Sequence, residues 1–274
     1  MPLVNRRNGR PQRHGRIDHN IELGQRRAAL GHDGEAGDDG SGQRSKRFAI
    51  RLCGQVAFAP GAAAAAGAAV DDEALGEGAI VLRADMSSRS AMAAAAARVK
   101  QAFGKLDMVF AKAGIAQPML FSDMDEEHID RQLEVNFKGV IHTVQSMLAL
   151  MNKPSSIVLT STTMIEKGVA GMGVYAATKA AVRSRARTLS AEFAPSGVRV
   201  NVISPGLCET PIYGKLGLPP EAVQAWAGQL PATVPAARFG QAEEVAQAVL
   251  FLASDDSLYM MGENVLFDGA MSTL

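Results

Sequence analysis

The sequence predicts one α/β domain with a doubly wound parallel sheet, covered by helices on both faces in three layers. Two observations support this prediction. From about residue 48 onward, stretches typical of strands alternate with stretches typical of helices. The strand stretches are continuous apolar runs, as expected for strands that are buried on both faces. With 274 residues, 47% of them apolar, the chain can bury such a core.

The predicted elements follow one another along the chain. Six apolar runs are predicted strands: 55–59, 79–85, 106–110, 156–160, 198–203 and 264–267. Five stretches are predicted helices: the Ala-rich 62–69, then 90–103, 126–151, 174–193 and 243–253. Ser87 or Ser88 is the expected cap of the second helix, and Ser122 or Asp123 lies near the start of the third.

Residues 1–47 differ in character from the rest of the chain. They are rich in Arg, Gly, His and Asp, and they show neither a helix period nor a strand period. Because so few apolar side chains can be buried, we expect a disordered or degenerate segment, followed by the folded domain over 48–274. A basic arm for nucleic acid is the alternative, but interspersed acidic residues argue against it.

The overall composition excludes several classes of partner. The formal net charge is zero and aromatic residues make up 5%, so no nucleic-acid partner is expected. No apolar run is long enough for a membrane span, and no apolar segment follows the basic N-terminus as in a secretory signal. The two cysteines, Cys53 and Cys208, are far apart, which favours a reducing compartment and thus the cytoplasm. No metal site is predicted.

Tyr175 and Lys179 are the clearest candidates for chemistry. They are four residues apart in a predicted helix and therefore share one face. A lysine ammonium favours the phenolate and is expected to lower the tyrosine pKa from about 10. Such a tyrosine can give a proton to a carbonyl oxygen or take one from an alcohol. This spacing alone is also common in helices without any catalytic role.

The surrounding segments make the catalytic interpretation stronger. The strand 156–160 ends at Ser161 and Thr162, and the strand 198–203 ends at Ser204-Pro205-Gly206. Open α/β sheets bind ligands at the carboxyl ends of their strands. The two strand ends and the tyrosine helix are therefore expected to converge on one edge of the sheet.

These segments resemble the classical short-chain dehydrogenase/reductase family, from about Gly78 to the C-terminus. The matching stretches are 83–85, 107–114, 135–139, 157–161, 175–179, 199–201, 204–206, Gly262 and 268–269. The resemblance implies a Rossmann-like fold and the cofactor NAD or NADP. It also implies that a secondary alcohol and a ketone, the small-molecule substrates, are interconverted by hydride transfer. The family usually forms homodimers or homotetramers through the helices that contain Asn136 and Tyr175.

The resemblance also implies roles for catalytic residues. Tyr175 is similar to the general acid/base, Lys179 to the lysine that lowers its pKa and binds the nicotinamide ribose, and Asn136 to the residue that holds a relay water. The family places a substrate-orienting serine thirteen residues before the tyrosine, and Thr162 stands there. Threonine can still donate a hydrogen bond. Ser161 is the alternative. A purely structural role, as hydroxyls that form hydrogen bonds in a turn, is the other interpretation of Ser161 and Thr162.

Further residues are implied as cofactor contacts. Asp85 is similar to the carboxylate that binds the adenine amino group, and Ala113 with Gly114 to the stretch beside the adenosine ribose. Pro205 and Gly206 would flank the nicotinamide, and Thr210 the carboxamide or pyrophosphate. The structural alternative for Asp85 is a solvated residue at a strand end, and for the other contacts it is a simple turn. The segment 210–240, which includes Trp226, is the expected substrate lid.

The sequence departs from the family pattern at its glycine-rich turn. The family has Thr-Gly-x-x-x-Gly-x-Gly after its first strand. The nearest candidate is the stretch with Gly37, Gly40 and Gly42, but its spacing is one residue short and no apolar strand precedes it. Two neighbouring aspartates would also repel a pyrophosphate. A solvated turn is the alternative.

Two other positions depart from the pattern. Lys112 stands where the family usually has Asn, and its ammonium is expected to reach toward a cofactor phosphate. Neither an acidic residue nor an arginine occupies 59–61, so the choice between NAD and NADP is not readable. One hypothesis explains these departures in the N-terminal part: residues 1 to about 75 are a frameshifted translation, which the nucleotide sequence would test. A catalytically silent scaffold with impaired cofactor binding is therefore the alternative to an enzyme.

Overall fold

The computed structural model describes residues 47–52, 55–60, 80–209, 221, 228 and 233–274. All of these belong to one compact unit, Gln43–Leu274. Its strands are β1 Arg47–Leu52, β2 Gln55–Pro60, β3 Ile80–Arg83, β4 Leu106–Ala111, β5 Met151–Thr160, β6 Val198–Pro205 and β7 Asn264–Phe267. Its helices are α1 Arg89–Phe103, α2 Glu126–Leu133, α3 Gly139–Leu148, α4 Gly173–Phe193 and α5 Ala242–Ala253. A π-helical turn, Glu134–Lys138, joins α2 to α3.

The described strands form one seven-stranded sheet in the order β3-β2-β1-β4-β5-β6-β7. Strand β1 pairs with β4 in parallel, and β4 to β7 continue in parallel. Strand β2 is antiparallel to both of its neighbours. Only Cys53 and Gly54 separate β1 from β2, which suffices for a hairpin but not for the crossover that a parallel pair needs. The predicted doubly wound parallel sheet is confirmed, with this one antiparallel strand.

Strand β1 was not predicted, because the sequence analysis found no apolar strand in this part of the chain. The structure places it inside the sheet, as the third of the seven described strands, where Phe48, Ala49 and Ile50 pair with the middle of β4. The only local signal is this three-residue apolar run, which Arg47 and Arg51 flank. Pairing with a partner sixty residues away is a tertiary effect, and a search for local periodicity does not detect it.

The core lies on both faces of the sheet because successive side chains of a strand point to opposite faces. Val109, Ile157 and Val200 belong to a cluster with side chains of α1, α3 and α4. On the other face, helix α5 packs against a second cluster, which contains Met108, Val158 and Ile203. The helix–sheet–helix arrangement in three layers is therefore confirmed.

Several predicted boundaries shift. The predicted helix 126–151 is interrupted by the π-helical turn and ends at Leu148, because Met151 already belongs to β5. Asp125, rather than Ser122 or Asp123, caps α2, and its Oδ1 accepts a hydrogen bond from His128 N at 2.8 Å. Ser88 caps α1, as one of the two predicted alternatives. The predicted helix 62–69 lies outside the described residues.

The helices α1 to α5 of the described residues are 8 to 21 residues long. None of them is both long and apolar enough to cross a bilayer.

Candidate active site

The carboxyl ends of β4, β5 and β6 lie side by side at one edge of the sheet. Gly114 follows β4, Ser161 and Thr162 follow β5, and Gly206 follows β6. Helix α4, which carries Tyr175 and Lys179, packs against β5 and β6. The structure therefore brings most of the predicted catalytic residues to one edge.

Asn136 fastens the end of β4 to helix α4. It is fully buried in the π-helical turn. Its Oδ1 accepts a hydrogen bond from Ile115 N at 2.8 Å, and its Nδ2 donates to Ile115 O at 2.9 Å. The same Nδ2 donates to Thr178 Oγ1 at 3.2 Å, one residue before Lys179. Asn136 thus fixes the segment after β4 relative to the tyrosine helix.

Lys179 and Gly114 meet beside Asn136. Lys179 is only 3% exposed, and its Nζ donates a hydrogen bond to Thr160 O at 3.0 Å. A Cβ atom added to Gly114 would lie 3.0 Å from both Lys179 Nζ and Asn136 Oδ1. Glycine is required here because the backbone after β4 comes so close to the lysine ammonium.

Thr162, and not Ser161, is the hydroxyl that faces Tyr175. The Thr162 side chain shares a hydrogen bond with the Tyr175 hydroxyl. Thr162 Oγ1 also accepts from Met164 N at 3.3 Å, which begins a short 3-10 helix. Ser161 Oγ instead donates to the backbone carbonyl of Lys179 at 2.9 Å and fastens the strand end to α4.

Burial raises the pKa of Tyr175 above its usual value of 10.0, and the hydrogen bond with Thr162 lowers it by a smaller amount. The expected decrease of this pKa by Lys179 is therefore wrong. Helical spacing places the two residues on one face, but the Lys179 ammonium binds the Thr160 carbonyl, and the half-buried phenol is partly shielded from water. The Tyr175 hydroxyl consequently carries its proton near pH 7.

The predicted cofactor contacts occupy strand ends. Asp85 follows β3 and is exposed, and its Oδ1 accepts from Ser87 N at 2.9 Å and Ser87 Oγ at 2.8 Å. Ala113 is buried next to Gly114. A Cβ atom on Gly206 would lie 2.5 Å from Asp268 Cβ, so close packing against the turn after β7 requires this glycine. Pro205 O accepts a hydrogen bond from Thr163 Oγ1 at 3.5 Å.

Lys112 is half-buried at the end of β4. Its charge acts on the thiol of Cys208, two residues after Gly206. The pKa of Cys208 is raised to about 11, mainly by burial and also by the charge of Glu244, while the charge of Lys112 lowers it. The thiol therefore stays protonated beside the predicted nicotinamide contacts.

Several predicted residues lie outside the described residues: Gly37, Gly40, Gly42, Thr210 and Trp226. The three glycines precede β1 in the sequence, whereas the family pattern places its glycine turn after the first strand. Only two residues follow β1 before β2 begins.

Sequence reasoning missed three residues that the structure places beside the site. Thr178 links Asn136 to α4 through its hydroxyl, which donates to Tyr175 O at 2.7 Å. Gln132 and His128 lie one and two turns before Asn136 and are buried. Gln132 and His128 lie four and eight residues before Asn136, and this regular spacing is visible in the sequence.

Comparisons with known proteins identify the family. The family model described as Enoyl-(Acyl carrier protein) reductase matches residues 54–272. A 3-oxoacyl-[acyl-carrier-protein] reductase of Thermotoga maritima is 39% identical over 176 residues, which cover 64% of this chain and 69% of that protein. The chain belongs to the short-chain dehydrogenase/reductase family.

Other similar proteins are named for different activities. An NAD-dependent glycerol dehydrogenase of Listeria innocua is 34% identical over 203 residues, covering 69% of this chain and 74% of that protein. The NADPH-bound short chain oxidoreductase of Pseudomonas aeruginosa PAO1, which contains an atypical catalytic centre, has a TM-score of 0.64 and 27% identity. That similarity covers 70% of this chain and 75% of the other. The family model matches from residue 54 onward, whereas the resemblance in the sequence was recognised only from about Gly78.

Proposed function

We propose that the chain is an NAD(P)-dependent oxidoreductase that interconverts a secondary alcohol and a ketone, with Tyr175 as the acid/base. The observation that supports this most directly is the hydrogen bond between Tyr175 and Thr162 at the strand edge. Lys179, Asn136 and Gly114 meet at the same edge. A protonated phenol beside a second hydroxyl is an arrangement that can bind and protonate a carbonyl oxygen.

The chain's own residues divide the proton chemistry between them. Thr162 orients the carbonyl oxygen, and Tyr175 gives it a proton. Because the Tyr175 hydroxyl carries its proton near pH 7, it can act as the proton donor when a carbonyl is reduced. Asn136 Oδ1 has two acceptor positions and Ile115 N occupies one, so the other can hold a relay water.

A nicotinamide nucleotide fits the residues at this edge. The backbone of Gly114 passes close to Lys179, whose ammonium is a hydrogen-bond donor that suits the hydroxyls of a nicotinamide ribose. Asp85 and Ala113 are the proposed contacts on the adenosine side, and Pro205 and Gly206 on the nicotinamide side. When bound, the nucleotide supplies or accepts the hydride. NAD and NADP are both proposed, since one relative is NAD-dependent and one similar structure holds NADPH.

A specific observation favours a second candidate, a catalytically silent scaffold. The family pattern needs a glycine turn and a helix after its first strand, because that helix N-terminus binds the pyrophosphate. Here a hairpin with two intervening residues joins β1 directly to β2. No space remains at that point for a turn and a helix, which would weaken nucleotide binding.

Titration with NADH and NADPH distinguishes the two candidates. For the enzyme we expect saturable binding of at least one nucleotide by fluorescence or calorimetry, and its oxidation when a ketone is added. Absence of saturable binding at millimolar nucleotide would support the silent scaffold and contradict the proposed enzyme.

Variants at the two neighbouring hydroxyls test which one orients the substrate. Thr162→Val keeps the side-chain shape but removes the hydroxyl, and we expect kcat/KM to fall about 100-fold with little change in Tm. Ser161→Ala removes the bond to the Lys179 carbonyl, and we expect the free energy of unfolding to fall by about 1 kcal/mol with activity retained. The opposite pattern in steady-state kinetics and denaturation would assign the role to Ser161.

We also propose a homodimer or homotetramer in the cytoplasm that acts on a small molecule. Exposed apolar side chains around β7 support an interface between copies: Phe251, Leu258, Tyr259 and Met261. Light scattering during gel filtration would measure the mass, and a monomer at micromolar concentration would contradict this assembly.

A further inference from the structure

Three polar side chains form a line along one face of α2 and the π-helical turn. They are His128, Gln132 and Asn136, each four residues from the next. Residues at this spacing lie one helical turn apart on the same face. His128 is 7% exposed, and Gln132 and Asn136 are fully buried. The proposed chemistry uses Asn136 but gives no role to the other two.

Gln132 contacts the same segment that Asn136 holds. Its Nε2 donates to Gln117 O at 3.4 Å, two residues after the Ile115 backbone that Asn136 binds. Its Nε2 also lies 2.8 Å from His128 Nε2. Because an amide nitrogen can only donate, His128 Nε2 is the acceptor of this bond. Asn136 therefore binds the backbone of Ile115, and Gln132, one helical turn earlier, binds the backbone carbonyl of Gln117.

The other atom of the Gln132 amide is not satisfied. Its Oε1 is buried and has no hydrogen-bond partner in the part of the chain that the structure describes. A buried acceptor without a partner lowers stability, because it has lost its bond to water. An unbranched apolar side chain of similar size, such as methionine, would occupy the site without this loss. A residue that is unfavourable for stability, one turn from Asn136, indicates a functional contribution.

We propose that Gln132 is a positioning residue for the reaction, with His128 orienting its amide. By holding 115–117, Gln132 keeps Gly114 against the Lys179 ammonium, where the nucleotide and the proton path meet. This inference rests on the proposed function, because it concerns the geometry of the same site.

The variant Gln132→Met tests this role. We expect hydrogen–deuterium exchange of the amides 115–117 to increase and kcat to fall about tenfold, since small displacements of reacting groups are costly. The KM for the carbonyl substrate should change less than twofold, because Thr162 and Tyr175 are untouched. The Tm should be equal or higher, because the unsatisfied oxygen is gone.

Ser155→Ala is the matched control. Ser155 Oγ is also buried without a partner in the described part of the chain, but it lies at the first pair of β5 with β6, away from the carboxyl end. We expect its Tm also to be equal or higher, with kcat and the exchange of 115–117 unchanged.

His128→Leu, alone and combined with Gln132→Met, completes the test. If His128 acts through Gln132, the double variant should lose no more kcat than Gln132→Met alone. Additive losses, an unchanged kcat, or a kcat loss that follows a lower Tm would overturn the proposal. If the natural chain reduces no carbonyl, the proposed function fails, and the exchange of 115–117 in Gln132→Met still decides the positioning role: unchanged exchange rejects it.

Discussion

Replacement of Tyr175 by Phe is expected to lower kcat for carbonyl reduction by about 10³-fold, while the Kd of the nucleotide and the Tm stay nearly unchanged. The substitution removes one hydroxyl and leaves the ring that packs in the half-buried site. Without the Tyr175 hydroxyl, the carbonyl oxygen of the substrate receives no proton from the protein. Thr162 keeps its hydrogen bond from Met164 N, so the strand end should not rearrange.

The control for this experiment is Tyr259→Phe, the same chemical change at a side chain that is fully exposed on the single chain, and it keeps the apolar ring that the proposed interface would use. It should leave kcat, nucleotide Kd and Tm unchanged. The measurement is the rate of NAD(P)H oxidation with saturating ketone, together with nucleotide titration of both variants. If Tyr175→Phe kept more than a tenth of the natural rate, Tyr175 would not be the proton donor.

Asn136→Ala is expected to have the largest effect on stability, about 3 kcal/mol in the free energy of unfolding. The side chain is fully buried and makes three hydrogen bonds, to both backbone groups of Ile115 and to Thr178. Alanine leaves the Ile115 groups without this partner at the end of β4 and opens a cavity. Activity should fall as well, because Gly114 is no longer held beside Lys179.

Asn152→Ala is the matched control, because its Nδ2 makes one side-chain bond, to Asp107 Oδ1 at 2.6 Å, in a half-buried position. We expect it to cost less than about 1 kcal/mol and to leave kcat unchanged. Urea denaturation of both variants gives the comparison. Equal losses of stability for Asn136→Ala and Asn152→Ala would show that the clamp on Ile115 does not stabilise the fold.

Much of the fold follows from local patterns. The helix capped by Ser88 was predicted correctly, because capping and helical period are properties of neighbouring residues. The apolar runs at 106–110 and 198–203 also predicted strands correctly. The long helix 126–151 was predicted without its π-helical turn, since an extra residue in a helix leaves no clear mark in a hydrophobic period.

The candidate site was predicted less completely. The convergence of Thr162, Tyr175 and Lys179 follows from two strand ends and one helix face, and the structure brings them to one edge. The pKa of Tyr175 was predicted in the wrong direction. Helical spacing determines that two side chains share a face, but solvent exclusion and the partner of the ammonium depend on everything packed around them.

The amino-acid sequence alone determined the family, the order of most strands and helices, and the shared helix face of Tyr175 and Lys179, because short-range spacing encodes each of these. Tertiary structure decided that Thr162 faces Tyr175 while Ser161 binds the Lys179 carbonyl. It decided that His128 and Gln132 form a hydrogen-bonded pair on the same helix face as Asn136. It also decided that β1 enters the sheet as one half of a hairpin. These outcomes depend on contacts between segments far apart in the chain, and burial and hydrogen-bond geometry arise only when those segments pack.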